Sequence, residues 1–191
     1  MSYRNREIES KLSLPITPNR GLTEANLTVL RGFNSRIYKS IYATSTDLYW
    51  SIPEVCKGKA NFLRLRDQDG DGTSFVMTVK GRDRNTTLDR LEIDLSITPA
   101  DKSESFIQAI FGPPEGQITK TYHAHWIDSS KWDTICCYTV AGVLDKVFLE
   151  VESSSKKKML EMEEELMLLF GGAPERESGS LYEMYISRKS I

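Results

Sequence analysis

Four short runs in this chain alternate charge with small or apolar side chains. They are Glu7-Ile8-Glu9-Ser10-Lys11, Phe62-Leu63-Arg64-Leu65-Arg66, Arg90-Leu91-Glu92-Ile93-Asp94-Leu95 and Phe148-Leu149-Glu150-Val151-Glu152. A period of two is the period of a β-strand, where residues i, i+2 and i+4 share one face. Each run therefore predicts a strand with an apolar face that wants a hydrophobic layer and an opposite face of paired charges. Acids dominate three of the runs and arginines the fourth. Antiparallel strands of this kind, closed on themselves, produce a barrel with a polar, charged interior.

The rest of the chain supplies enough strands for such a barrel. Ile37–Ser51 reads as a long strand, residues 61–67 and 73–81 as a hairpin, and 87–98, 117–127, 134–141 and 146–153 as further strands. Residues 3–14 form the first. Helices are expected in the connections and at the C-terminal end. One runs from a Thr23 cap to about Arg31 with Gly32 as its stop, one covers Ser103–Phe111, an acidic one runs from Ser153–Ser155 to Phe170, and a last piece spans Ser180–Ser187. The expected fold is α+β, an eight-stranded antiparallel closed β-barrel, or tunnel, with connecting and C-terminal helices. At 191 residues the chain is read as a single domain, 1–191.

Composition narrows the partners. A formal net charge of −2 gives no global attraction for nucleic acid or membrane, so an anionic ligand must be captured by a local cluster. Cys56, Cys136 and Cys137 have no disulfide-framework spacing, and the N-terminal residues are charged, so a reduced, cytoplasmic setting without a signal peptide is expected. No apolar run reaches the roughly 20 residues of a membrane span. The sequons at Asn26 and Asn85 are read as chance occurrences.

Glu-x-Glu strands offer hard oxygen ligands, which suit Mg²⁺ or Mn²⁺. Such ions commonly bridge a few carboxylates to phosphate oxygens, and Lys11, Arg64, Arg66, Lys80 and Lys120 are the natural complement for the phosphates. Acids and bases alternating around one cavity suit a polyanion that arrives with its metal, and the chemistry they point to is metal-assisted phosphoryl transfer. The run Asp67-Gln68-Asp69-Gly70-Asp71-Gly72 imitates the opening of a calcium loop, but Thr78 stands where the bidentate glutamate belongs, so it is read as a turn. His123 and His125 alternate on one strand with no third histidine in the chain, which leaves zinc without a ligand set and one ring open as a proton shuttle or phosphate contact. There is no glycine-rich phosphate loop of the Gly-x-x-x-x-Gly-Lys-Ser/Thr kind and no Gly-x-Ser-x-Gly elbow.

Taken in order, these runs resemble the CYTH domains, the triphosphate tunnel metalloenzymes. Glu7-Ile8-Glu9-Ser10-Lys11 is similar to their N-terminal signature, Arg64 and Arg66 to their paired-arginine strand, and Thr78-Val79-Lys80-Gly81 to their lysine-glycine turn. Glu92 and Asp94 resemble the acidic fourth station, Glu150 and Glu152 the second Glu-x-Glu, and Ser180-Leu181-Tyr182 a serine-x-tyrosine element of the last helix. The resemblance implies a tunnel binding triphosphates with Mg²⁺ or Mn²⁺. It implies metal at Glu7, Glu9, Glu150 and Glu152, with Asp145 or Asp133 as a further candidate, and Asp145 is taken into the set. It implies phosphates at Lys11, Arg64, Arg66, Lys80 and Lys120, with Arg90 beside them, and Glu92 and Asp94 deep in the tunnel. Glu9, Glu150, Glu152 and Lys80 are the catalytic residues of this reading.

Two departures from the family pattern stand out. The lysine matching Lys120 lacks its following arginine, the strand reading Lys120-Thr121-Tyr122-His123, and Ile135–Val140 holds no acid where the family places an aspartate. The expected function is a divalent-metal-dependent hydrolase releasing the terminal phosphate of tripolyphosphate or of a nucleoside, thiamine or RNA 5′-triphosphate. Its partners are that small molecule or RNA end, with no membrane and no sequence-specific nucleic acid, in a monomer or homodimer. The alternatives are a class IV-type adenylyl cyclase and a non-catalytic nucleotide- or polyphosphate-binding protein.

Overall fold

The computed structural model describes residues 7–17, 21–52, 61–67, 75–80, 88–90, 92–97 and 100–186. In chain order the elements are β1 (Glu7–Pro15), α1 (Leu22–Phe33), β2 (Ile37–Ser51), β3 (Phe62–Asp67), β4 (Phe75–Lys80), β5 (Leu88–Arg90), β6 (Glu92–Ile97), α2 (Ala100–Phe111), β7 (Gly116–Ile127), β8 (Thr134–Val140), β9 (Lys146–Ser153), α3 (Lys156–Leu169), β10 (Glu175–Arg176) and α4 (Leu181–Tyr185). The chain is α+β, and its strands form an antiparallel sheet in the order β10-β1-β9-β8-β7-β2-β3-β4-β6. Among the described residues that order has two ends, whereas the sequence predicts eight strands closed into a barrel. The tips 68–72 of the calcium-loop imitation and Gly81 of the lysine-glycine turn lie outside the described residues. No helix among those residues is long and apolar enough to cross a membrane.

The described chain divides into two compact units, one built from Glu7–Tyr42 and Lys120–Ser178, the other from Ala43–Thr119 and the segment from Gly179. In the first, β1, β9, β8 and β7 turn Leu12, Leu14, Leu149, Val151, Ile135 and Ile127 toward α1 and α3. Those helices answer with Val29 and Phe33, and with Met159, Met162 and Leu166, all buried. Each such side chain contributes roughly 1.5–3 kcal/mol when fully buried, so this layer fixes which face of the ladder is the core face. The i, i+3, i+4 spacing of the α3 apolar residues aims one stripe at the sheet.

Helix boundaries follow local capping. The Ser155 side chain accepts from Lys158 N at 3.2 Å and opens α3. The start of α1 differs from expectation. Thr23 lies inside the first turn, and Gly21 is the cap, its N–H donating to the Glu24 carboxylate at 3.0 Å. Gly32 does not stop α1 either. It lies in the last turn, where a Cβ would run into the Leu169 side chain, so glycine permits the close approach of α1 and α3.

In the second unit, Trp50, Leu63, Leu65 and Ile107 of α2 form a smaller core, with Met77 and Val79 packed on it. The Trp50 indole N–H donates to Gly112 O at 2.9 Å, which ties β2 to the end of α2.

Candidate functional site

Cross-strand register builds an acidic cluster inside the first unit. Glu9 pairs with Glu152 and Lys11 with Glu150 across β1 and β9. Thr134 pairs with Glu152 and Cys136 with Glu150 across β8 and β9, while Tyr122 and Tyr138 pair across β7 and β8. Partners in an antiparallel ladder share a face, so these residues, with Lys120, stand together opposite the hydrophobic core.

Glu9, Glu150 and Glu152 bring ligand oxygens within 4.8 Å of one another. The Lys11 ammonium lies 3.6 Å from Glu9 Oε1 and 3.4 Å from Glu150 Oε2. Glu9 and Lys11 are buried, at 1% and 4% exposure, so water screens them little. Three carboxylates against one ammonium leave a surplus of negative charge, which a hard divalent cation relieves with the oxygen ligands it prefers. The donor set therefore fits Mg²⁺ or Mn²⁺. Two neutral hydroxyls support it. Tyr138 Oη donates to Glu150 Oε2 at 3.0 Å, and Thr134 Oγ1 donates to Glu152 Oε2 at 3.4 Å. Burial, then the charge of Glu150, pushes the Tyr138 phenol well above its ordinary range, so it stays a donor. Burial, then Glu150, raises the Cys136 thiol in the same way. The Lys120 ammonium lies 5.3 Å from the centre of the Tyr138 ring.

The other candidates of this unit stand apart from the cluster. Asp145 occupies the turn before β9, exposed, and its carbonyl accepts from Ile16 N. Glu9 is seven residues from Ile16, about 20 Å along a strand at the usual rise, so Asp145 does not join the three glutamates. Asp133 is buried on the core side of the ladder. It accepts from Ser153 Oγ at 2.6 Å, Ser154 N at 3.2 Å and Lys158 Nζ at 2.7 Å. Burial opposes its ionisation, but the Lys158, Ser153 and Ser130 hydrogen bonds win and hold it at about 2. Glu7 opens β1.

The histidines fall on the face opposite Lys120, because they occupy odd positions of β7 and Lys120 an even one. His125 is buried, its Nδ1 2.8 Å from Ser40 Oγ and its Nε2 2.7 Å from Asn26 Oδ1. Burial, then the charge of His123, lowers it to about 4. His123 packs against Tyr42 at 4.7 Å. Neither ring shares the face of the carboxylates, so neither is the proton shuttle or phosphate contact left open by the sequence. Asn26, buried against His125, is no glycan acceptor.

The second unit carries a basic cluster of its own. Asp47 pairs with Arg66 and Tyr49 with Arg64 across β2 and β3. Arg64 pairs with Thr78 and Phe62 with Lys80 across β3 and β4, and Thr78 pairs with Asp94 and Lys80 with Glu92 across β4 and β6. One face thus collects Arg64, Arg66 and Lys80. Asp47, fully buried, receives Arg66 Nε at 2.6 Å and Arg66 Nη2 at 2.8 Å, and Tyr49 Oη at 3.2 Å. Thr78 Oγ1 accepts from Arg64 Nη2 at 2.9 Å and donates to Asp94 Oδ1 at 2.5 Å. Each guanidinium is therefore held in one orientation before any ligand arrives, which lowers the ordering cost of binding. Arg90 lies in β5 and Glu92 opens β6. The Ser180-Leu181-Tyr182 element caps and begins α4, and the Tyr182 ring stacks on Tyr49 with centroids 5.7 Å apart and lies tilted against Phe62 at 4.9 Å.

Asp47, Tyr138 and the bridging role of Thr78 between Arg64 and Asp94 are not legible in the sequence. Asp47 alternates with Tyr49 and Ser51 on β2, a faint version of the period-two signal that marked the other stations.

Comparison with known proteins places the architecture. No protein-family model matches the chain, and no curated protein matches it. Solved structures do. HpAC1 from Hippeastrum, a candidate adenylyl cyclase described as having a dominant triphosphatase activity, superposes with a TM-score of 0.66 at 16% identity over 96% of each chain. A conserved hypothetical protein from Pyrococcus furiosus gives 0.65 at 20% identity, over 92% of this chain and 98% of its own. The fold is CYTH-like. A candidate adenylate cyclase from Bacillus halodurans gives 0.62 at 13% identity, over 96% of this chain and all of its own. Identities this low speak to the CYTH-like fold and not to the reaction.

Proposed function

We propose that this chain is a divalent-metal-dependent hydrolase that releases the terminal phosphate of a triphosphate-containing substrate. The observation that carries the proposal is the trio Glu9, Glu150 and Glu152 with Lys11 among them, three hard ligands and a cation on one polar strand face. In this reading the three glutamates, with Glu7 beside them in β1, hold Mg²⁺ or Mn²⁺. Bound there, the ion supplies Lewis-acid polarisation of phosphate oxygens and lowers the pKa of a coordinated water.

The remaining work falls to the basic side chains. Arg64, Arg66, Lys80, Lys11 and Lys120, with Arg90, neutralise the triphosphate, the arginines as two-pronged donors and the lysines as point charges. Glu92 and Asp94 orient that basic set, as the Asp94–Thr78–Arg64 chain already does for one guanidinium. Water adds to the γ-phosphorus, the bond to the bridging β–γ oxygen breaks, and orthophosphate leaves. Cations fixed beforehand favour the spread charge of that transition state over the ground state. Closure of the sheet into a tunnel around the substrate, and a cytoplasmic setting, belong to the same proposal.

A nucleotidyl cyclase is the second reading, favoured by the description of HpAC1 and of the Bacillus halodurans protein as candidate cyclases. Against it, Met1–Arg6 lacks the histidine-phenylalanine lead that class IV cyclases usually carry. A non-catalytic binder is the third, since Ile135–Val140 offers no acid. One panel separates them: tripolyphosphate, thiamine triphosphate, nucleoside triphosphates and 5′-triphosphate RNA, each with Mg²⁺ or Mn²⁺. Orthophosphate release supports the hydrolase, pyrophosphate with a cyclic nucleotide makes the protein a cyclase, and tight binding without turnover makes it a binder.

A further inference from the structure

Tyr138 occupies the strand stretch that has no acid, and it touches both kinds of charge in the first unit. Its hydroxyl reaches Glu150 Oε2, the same oxygen that Lys11 approaches at 3.4 Å. Its ring is stacked on Phe148, centroids 5.3 Å apart and planes at 18°, and the Lys120 ammonium lies over it at 5.3 Å. At 1% exposure the side chain has one place to be. A phenol locked by stacking is a rigid post from which a hydroxyl can aim a carboxylate and a π-face can seat an ammonium.

We infer that Tyr138 is a positioning residue that couples the two halves of binding in this unit: it orients Glu150 toward the divalent ion through its hydroxyl and holds Lys120 toward phosphate through its ring. The inference rests on the reading of Glu9, Glu150 and Glu152 as a metal site. Partners that orient metal ligands are typically worth 10- to 100-fold in metal affinity, and a cation over an aromatic ring contributes a smaller, separable amount.

Two substitutions divide the arms. Tyr138→Phe removes the hydroxyl and keeps the ring, whereas Tyr138→Leu removes both. Mn²⁺ affinity is measured on the full chain by electron paramagnetic resonance without substrate. Tripolyphosphate affinity is measured by calorimetry with EDTA present, and circular dichroism and thermal melting check the fold of each variant. Tyr138→Phe is expected to weaken Mn²⁺ about tenfold and leave metal-free tripolyphosphate binding at the wild-type value. Tyr138→Leu is expected to weaken both, the second by about threefold. Wild-type Mn²⁺ affinity in a folded Tyr138→Phe protein overturns the hydroxyl's role, and equal tripolyphosphate affinity in the two variants overturns the ring's. Glu150→Gln serves as the reference. If it too binds Mn²⁺ like wild type, the metal site itself is misplaced; if it alone loses affinity, only the inference about Tyr138 fails.

Discussion

Asp47 grips Arg66 with both carboxylate oxygens, at 2.6 Å to Nε and 2.8 Å to Nη2, and does so with no exposure of its own. The pair converts a flexible guanidinium into a fixed one on the charged face of its unit, and Tyr49 completes the shell of the acid.

Removing the acid strands the base. Asp47→Ala is expected to cost about 2–4 kcal/mol, because a buried two-bonded pair is lost and a half-buried guanidinium loses its counter-charge. Urea unfolding monitored by fluorescence reads this directly. A midpoint equal to wild type would mean that the pair contributes nothing to stability.

His125 makes stability depend on pH. Its folded value is about 4 against 6.5 when unperturbed, so between those values the unfolded chain binds more protons than the folded one. Stability therefore rises with pH from about 4 to 6.5 and is lost as the solution is acidified through that window, by roughly 3 kcal/mol in all. Subtracting the melting profile of His125→Gln from that of wild type isolates this slope. A flat difference across pH 4–7 contradicts the assignment.

Asp133 is tied to stability, apart from the Glu9, Glu150 and Glu152 cluster. Its bonds to Ser153, Ser154 and Lys158 hold the start of α3 to the end of β9. Asp133→Asn is expected to destabilise by about 2–3 kcal/mol at neutral pH and to leave Mn²⁺ affinity unchanged. Because the acid sits at about 2, its contribution disappears as pH falls from the usual carboxylate range toward that value. A drop in Mn²⁺ affinity in the folded variant would return Asp133 to the list of metal ligands.

These assignments also show where sequence alone stops. Alternation marked β1, β3, β6 and β9 and told which residues face together, since parity along a strand is a local property. The bounds of β2, Ile37–Ser51, were legible from its run of aromatic residues, Tyr38, Tyr42, Tyr49 and Trp50. Partnerships across strands were not, because register is settled by distant residues. Asp47 meets Arg66 across nineteen positions, and Tyr138 pairs in register with Phe148 while its hydroxyl reaches diagonally to Glu150. Parity places the histidines as well: His123 and His125 differ from Lys120 by odd numbers, which puts them on the core side. At α1, Thr23 has the right cap chemistry, yet Glu24 reaching back to Gly21 N–H starts the helix two residues earlier.

The central claim is that Glu9, Glu150 and Glu152 hold the divalent ion on which triphosphate hydrolysis depends. Orthophosphate release from tripolyphosphate as a function of Mn²⁺ concentration, for wild type and Glu150→Gln, addresses it without intermediaries. The account predicts release that requires Mn²⁺ in the wild type and falls by about a hundredfold in Glu150→Gln. Release that persists in EDTA, or that is equal in the two proteins at every Mn²⁺ concentration, contradicts it.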